Sequence, residues 1–322
     1  MKPHITRDLL YSIARHSNWR PGGIEAMLRS SGIYAGPRNW ASLLRLLLLG
    51  AGVSFIVAGV VFFFAYNWDA MHKFLKLGLL QALIVIVTAY VLLSKRSETT
   101  RNLLLTGNAM LVGVLFAVFG QVYQTGANAY DFFLGWTCCV ALWVAVAKYP
   151  PLWLLFMALV NTTLFLYVQQ VATHWPFAVL LDLLFVLNGT AVLVWELVAH
   201  KTKNRTRSRW LQRVLGLAAV TAITISLVVG IYANMEEDWG LCVLLAALGY
   251  GAGIWHGQRV RDLFYLSVIP FSGIVVVASL IVRMADKTPE LLLLLASLFV
   301  IGSTTLLVRN IIRINHKWHG KY

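Results

Sequence analysis

The apolar positions of this chain come in long runs, not in the short alternating pattern of strands. Ten such runs can be marked: Leu43–Ala65, Phe74–Leu93, Leu103–Val122, Phe132–Ala147, Pro151–Val168, Pro176–Leu197, Leu211–Tyr232, Gly240–Trp255, Leu263–Ile281 and Leu291–Val308. Each approaches the ~20 residues that a helix needs to cross ~30 Å of hydrocarbon. Transmembrane strands would alternate in segments of about ten residues, and these runs do not. The pattern predicts an all-α, polytopic integral membrane protein with about ten transmembrane helices, of which the fourth and eighth are the shortest.

The polar connections add a direction. Lys95, Arg96 and Arg101 follow the second run, and Lys148 follows the fourth. Five basic residues from Lys201 to Arg209 follow the sixth, Arg259 and Arg261 follow the eighth, and Arg309, Arg313, Lys317 and Lys321 follow the tenth. The intervening connections are neutral or, at Glu236–Asp238, acidic. Basic loops stay on the cytoplasmic side, so both termini are expected inside. Of 27 Lys and Arg, only Lys73, Lys76, Arg283 and Lys287 are then left outside. Tryptophans such as Trp40, Trp68, Trp153, Trp175, Trp195, Trp210, Trp239 and Trp255 fall near the expected interfaces, where an amphipathic ring is most stable.

Composition agrees: the chain is 59% hydrophobic and 12% charged, against about 25% charged for a soluble domain. The net charge of +14 would point to nucleic acid in a soluble protein. Here its one-sided placement points to the lipid bilayer and to anionic lipids at the cytoplasmic face, and nucleic acid is not expected. No cleavable signal peptide is expected, because about 40 mostly polar residues precede the first run.

The organisation read from the sequence has three parts: a basic helical tail over 1–41, a first membrane bundle over 42–170, and a second over 171–322. The tail reads as two short helices, Thr6–His16 and Ile24–Arg29, separated by Pro21-Gly22-Gly23. It is expected to lie on the inner leaflet, with a protein partner at the tail as the second reading.

Two stretches carry a resemblance. One is Phe62-Phe63-Phe64-Ala65-Tyr66-Asn67-Trp68-Asp69-Ala70; the other is Gly120-Gln121-Val122-Tyr123-Gln124-Thr125-Gly126-Ala127-Asn128, leading to Tyr130-Asp131 and Trp136. Together they resemble the bacterial membrane proteins of the "domain of unknown function 2157" family, over the tail and the first four or five spans. The resemblance implies a bacterial cytoplasmic-membrane protein and carries no catalytic residues.

Several motifs have plain readings. Gly249-Tyr250-Gly251 lies within a continuous span without the Thr-Val of a potassium filter. Glycines 249, 251, 253 and 257 instead read as a small-residue packing face. Asn161 and Asn188 fall in glycosylation-like triplets inside the membrane, and are expected to hydrogen-bond between helices. Pro270 lies mid-span and is expected to kink its helix. Cys138, Cys139 and Cys242 sit in apolar runs and read as packing residues. No Ser-His-Asp set, HExxH or P-loop is present and no histidine is mid-membrane, so no catalytic residue, cofactor or metal is expected and an enzyme is unsupported.

The candidate chemistry is polar. Asp182 lies about 9 Å inside the outer edge of the sixth run, at 1.5 Å per residue. An ionised carboxylate there costs a few kcal/mol unless it faces protein or water. It reads either as a site residue or as an acid held by Asn161 or Thr162. The two family-like stretches are expected to bring Tyr66, Asn67 and Asp69 near Gln121, Tyr123, Gln124, Asn128 and Asp131 outside. Amides and aromatics together suit sugars or lipid headgroups. The plainer alternative makes Asn67 or Asp69 a cap for the second helix and Asp131 a cap for the fourth. Two functions follow: a transporter or headgroup-handling protein with an outward-facing polar site, or a non-transporting scaffold or sensor acting through its tail.

Overall fold

The computed structural model describes residues 21–30, 36–94, 97–124, 126, 128–201, 209–233, 239–284 and 289–319. The expected helix Thr6–His16 and the acidic Glu236–Asp238 lie outside the described residues. Among those described, every regular element is a helix: α1 (Pro21–Ser30), α2 (Pro37–Tyr66), α3 (Lys73–Leu93), α4 (Glu98–Tyr123), α5 (Ala129–Ala147), α6 (Pro150–Gln170), α7 (Phe177–Lys201), α8 (Trp210–Tyr232), α9 (Trp239–Val260), α10 (Leu263–Arg283) and α11 (Pro289–His319). Ten of them, α2 to α11, are long and apolar enough to cross a membrane. Helices answer the bilayer because they satisfy every backbone group within one segment.

The runs expected to be shortest are longer in the structure. The fourth begins at Ala129 and the eighth extends to Val260, because each recruits polar residues at its end that a hydropathy reading discards. The helix expected over Ile24–Arg29 begins at Pro21. Proline is tolerated in a first helical turn, where its missing N–H has no partner to lose. Residue 270 does not interrupt α10, which runs from Leu263 to Arg283.

The chain forms two compact units. The first takes the described residues up to Val114, with His319; the second is Leu115–Trp318, so the division falls inside α4. In the first unit, Asn108 (1% exposed) ties α4 to α3 by donating to Thr88 Oγ1 at 2.8 Å and to the Ile84 carbonyl at 3.3 Å. Lys76 is buried with its ammonium 3.8 Å from the Trp68 ring centre. Ring and ammonium attract electrostatically, which offsets the loss of water.

In the second unit α8 is the central helix. It contacts α6, α7, α9 and α10, and more than half of its apolar stretch is buried. Leu211, Ile223 and Ile231 along it are fully buried. Near its first turns, Leu211 and Leu215 join Met157 and Trp195 in a core flanked by Trp153 and Trp210. Further along, Ile223 and Leu227 pack with Cys242 and Ala246. At Gly230 the Trp239 ring lies so close that an added Cβ would sit 2.0 Å from its Cδ1. The packing face expected on α9 divides: Cβ atoms at Gly249, Gly253 and Gly257 would meet Phe185, Ile269 and Tyr265, while Gly251 faces open space.

Two tight connections set neighbouring helices antiparallel. Lys148 closes α5 in the left-handed region (φ 48°) and Pro150 opens α6 two residues later. Arg261 (φ 54°) does the same between α9 and α10, with the Asp262 N–H donating to the Gly257 carbonyl at 2.9 Å.

Candidate functional site

The sequence-derived site residues fall in both units, and each set is described within its own. In the first unit, Asn67 closes α2: its backbone N–H and its Nδ2 both donate to the Phe63 carbonyl, at 3.1 and 2.9 Å. It therefore caps the end of the first span and not the start of the second. That start is His72, which makes no side-chain cap. Carbonyls at a helix end lack partners, and the Asn67 amide supplies one. Tyr66 is 91% exposed, and Asp69 is exposed in the turn that follows.

In the second unit, Gln121 and Tyr123 end α4, with Tyr123 stacked on Phe119 at 4.8 Å between centres. Gln124 follows in the left-handed region. Asn128 occupies the N-cap position of α5, without a side-chain cap, and exposed Asp131 lies in the first turn. Asp131 is thus not the cap; its charge sits where the positive end of the helix dipole favours it.

Asp182 and Asn161 do not meet. Asp182 is 9% exposed and accepts a 2.7 Å hydrogen bond from Ser226 Oγ on α8. Ser226 also reaches the Ala178 carbonyl at 3.4 Å and receives Cys242 Sγ at 3.3 Å from α9. Asn161 pairs reciprocally with Asn188: each Nδ2 donates to the other's Oδ1, at 3.2 and 2.7 Å. Thr162 donates to the Ala158 carbonyl of its own helix. The reason is depth. Asn188 lies six residues beyond Asp182 on α7, about 9 Å along the axis, so Asn161 faces the amide and the acid is left to α8. A third cluster joins Thr224, Tyr250 and Ser272 of α8, α9 and α10, with Thr224 Oγ1 and Ser272 Oγ 2.5 Å apart and a short contact between Tyr250 OH and Ser272 Oγ.

Near the α6–α7 connection is a cleft of about 210 Å³, lined by Phe165, Val168, Gln169, Thr173, Trp175, Phe177 and Leu180. Val168 and Leu180 are buried, while Phe165, Trp175 and Phe177 are 38, 37 and 53% exposed. Beside it the Gln170 side-chain carbonyl accepts from the Tyr130 backbone N–H at 3.1 Å. Tyr167 stacks edge-on against both Tyr130 and Trp175, at 5.4 and 6.3 Å. Sequence reasoning missed this cleft. Its only signal was the Gln169-Gln170 pair followed by His174-Trp175 at a span exit. Among the described residues no group of His, Cys, Asp and Glu is placed to hold a metal ion.

Residues 25–153 match the family described as predicted membrane protein (DUF2157), the one that the Ala65–Asp69 and Gly120–Asn128 strings resemble. No curated protein and no solved structure matches the chain.

Proposed function

We propose that this multi-pass helical membrane protein holds the headgroup end of a lipid or other amphiphile at its charge-poor side, in the cleft between α6 and α7. The cleft is the observation that carries the reading. It has an apolar floor, three partly exposed aromatic walls, and one amide and one hydroxyl in its lining, which suits a polar, uncharged group attached to an apolar chain. At about 210 Å³ it falls below the ~300–1,000 Å³ of whole-ligand pockets, as expected for a site taking one headgroup while the chains stay in lipid. The polar groups deeper in the unit are satisfied by one another, and this supports holding over translocation.

Purified protein titrated with amphiphiles bearing sugar and zwitterionic headgroups tests the reading. A ligand at ~100 times its Kd adds about 2.7 kcal/mol, readable as a rise in apparent Tm. Trp175→Ala and Gln169→Leu should each reduce that rise. Equal stabilisation of wild type and both variants, or none across the panel, would remove the proposal.

The side assignment belongs to the same reading: the cleft must face outward and both termini inward. Single cysteines at Ser97, Asn128, Asn204 and Glu237, in a background lacking Cys138, Cys139 and Cys242, are expected to react with an impermeant thiol reagent in intact cells only at 128 and 237. Labelling at 204 from outside would overturn it.

A further inference from the structure

We infer that Arg209 and Arg213, at the first turn of α8, form a binding site for a phosphate group on the basic side of the second unit, remote in sequence from the proposed headgroup cleft. Both guanidiniums converge on one carboxylate. Arg213 grips Asp262 from two sides, Nη2 to Oδ1 at 3.1 Å and Nε to Oδ2 at 3.3 Å. Arg209 Nη1 approaches the same Oδ2 at 3.9 Å and the Val260 carbonyl at 3.5 Å. The Asp262 side chain is 3% exposed, and the Phe264 backbone N–H donates to its Oδ1. The acid is therefore fixed in place and serves as a post for both arginines.

One carboxylate neutralises one guanidinium. The arginine side chains remain 41 and 49% exposed, and the Arg209 guanidinium is held only loosely, at 3.5 Å from the Val260 carbonyl and 3.9 Å from Asp262. Glu196 is the other acid to weigh, since it adjoins Trp195, which packs in one core with Leu211 of α8. Against these two acids stand Arg209, Arg213, the exposed Arg259 in the last turn of α9 and the exposed Arg261 just after it. The excess is positive, and its donors are planar forks that match phosphate oxygens. The pair also opens α8, whose first N–H groups and dipole favour an anion. Trp210 and Trp195 in the core just beneath place the pair where a headgroup phosphate would lie. The ligand chemistry is a phosphate mono- or diester, from an anionic phospholipid or from a soluble metabolite.

Full-length protein in neutral detergent should be titrated separately with phosphatidylglycerol in mixed micelles and with inorganic phosphate or pyrophosphate, at fixed ionic strength, reading apparent Tm and bound lipid by native mass spectrometry. Arg209→Gln should weaken the effective anion about fivefold, the effect of one basic residue worth ~1 kcal/mol at a lipid surface. Arg213→Gln should weaken it at least as much, and Arg309→Gln, outside the cluster, should leave it unchanged. Response to the lipid alone identifies a headgroup site; an equal response to phosphate identifies a soluble ligand. Arg209→Gln loses only long contacts, so its fold should survive if Arg213→Gln proves unstable. If Arg209→Gln binds both anions as wild type does, or if Arg309→Gln loses as much, the site does not exist.

Discussion

Gly230→Ala should lower the apparent Tm of the purified protein, by an amount corresponding to about 1–3 kcal/mol, the usual cost of overpacking. In most helices this change is favourable, because alanine is the better helix former by about 1 kcal/mol. The sign reverses here because the new Cβ would lie 2.0 Å from Trp239 Cδ1 and 3.1 Å from Cγ. Those atoms belong to the root of a large ring, whose Nε1 also donates to the Leu227 carbonyl at 3.4 Å. Trp239 would have to leave α8, opening the start of α9. Gly251→Ala and Gly302→Ala, where nothing lies within 4 Å, are the controls and should be neutral or slightly stabilising. Tryptophan fluorescence during heating reads all three. A Gly230→Ala protein as stable as the controls would show that the ring shifts without loss.

Asp262→Ala should destabilise by about 2–3 kcal/mol. Losing a helix N-cap acceptor costs about 1 kcal/mol. Breaking a buried pair by removing one partner costs about 3–5 kcal/mol, but the arginine heads here are half exposed and water recovers much of that. Asp262→Asn keeps an acceptor for the Phe264 N–H and should lose about half as much. Equal losses for alanine and asparagine would assign the whole effect to the charge and none to the cap.

The spans were legible because hydrophobic length is read from one segment at a time. Neighbours were not, because adjacency depends on how helices rotate and slide against one another. Asp182 shows the difference. Its depth and its need for a partner follow from position alone, yet nothing in a sequence separates Ser226 from other span serines such as Ser272 and Ser279. Asn161 was the more conspicuous candidate and belongs to Asn188. Asn67 or Asp69 reads from the sequence as a cap for the second span, yet Asn67 serves the helix before it, since an amide at a junction can satisfy either side. The Arg213–Asp262 pair escaped notice because its members stand 49 residues apart and each passes for an ordinary interfacial charge. The α6–α7 cleft arises from the spacing of two helix ends, which no hydropathy pattern encodes.

The bond between Asp182 and Ser226 spans 44 residues of chain, and this separation fixes an order of events during synthesis. At 5–20 residues per second, the acid leaves the ribosome roughly 2–9 s before its hydroxyl partner. For that interval α7 must enter the bilayer with a carboxylate that α8 does not yet protect. An aspartate at a helix centre costs about 2.5–3.5 kcal/mol on insertion, whereas each Leu, Val or Phe returns about 0.3–0.6. The run Leu180-Leu181, Leu183-Leu184-Phe185-Val186-Leu187 around the acid offsets most of that cost. The dense leucine of α7 therefore serves the nascent chain as well as the finished bundle: it carries Asp182 into the membrane ahead of the helix that will satisfy it.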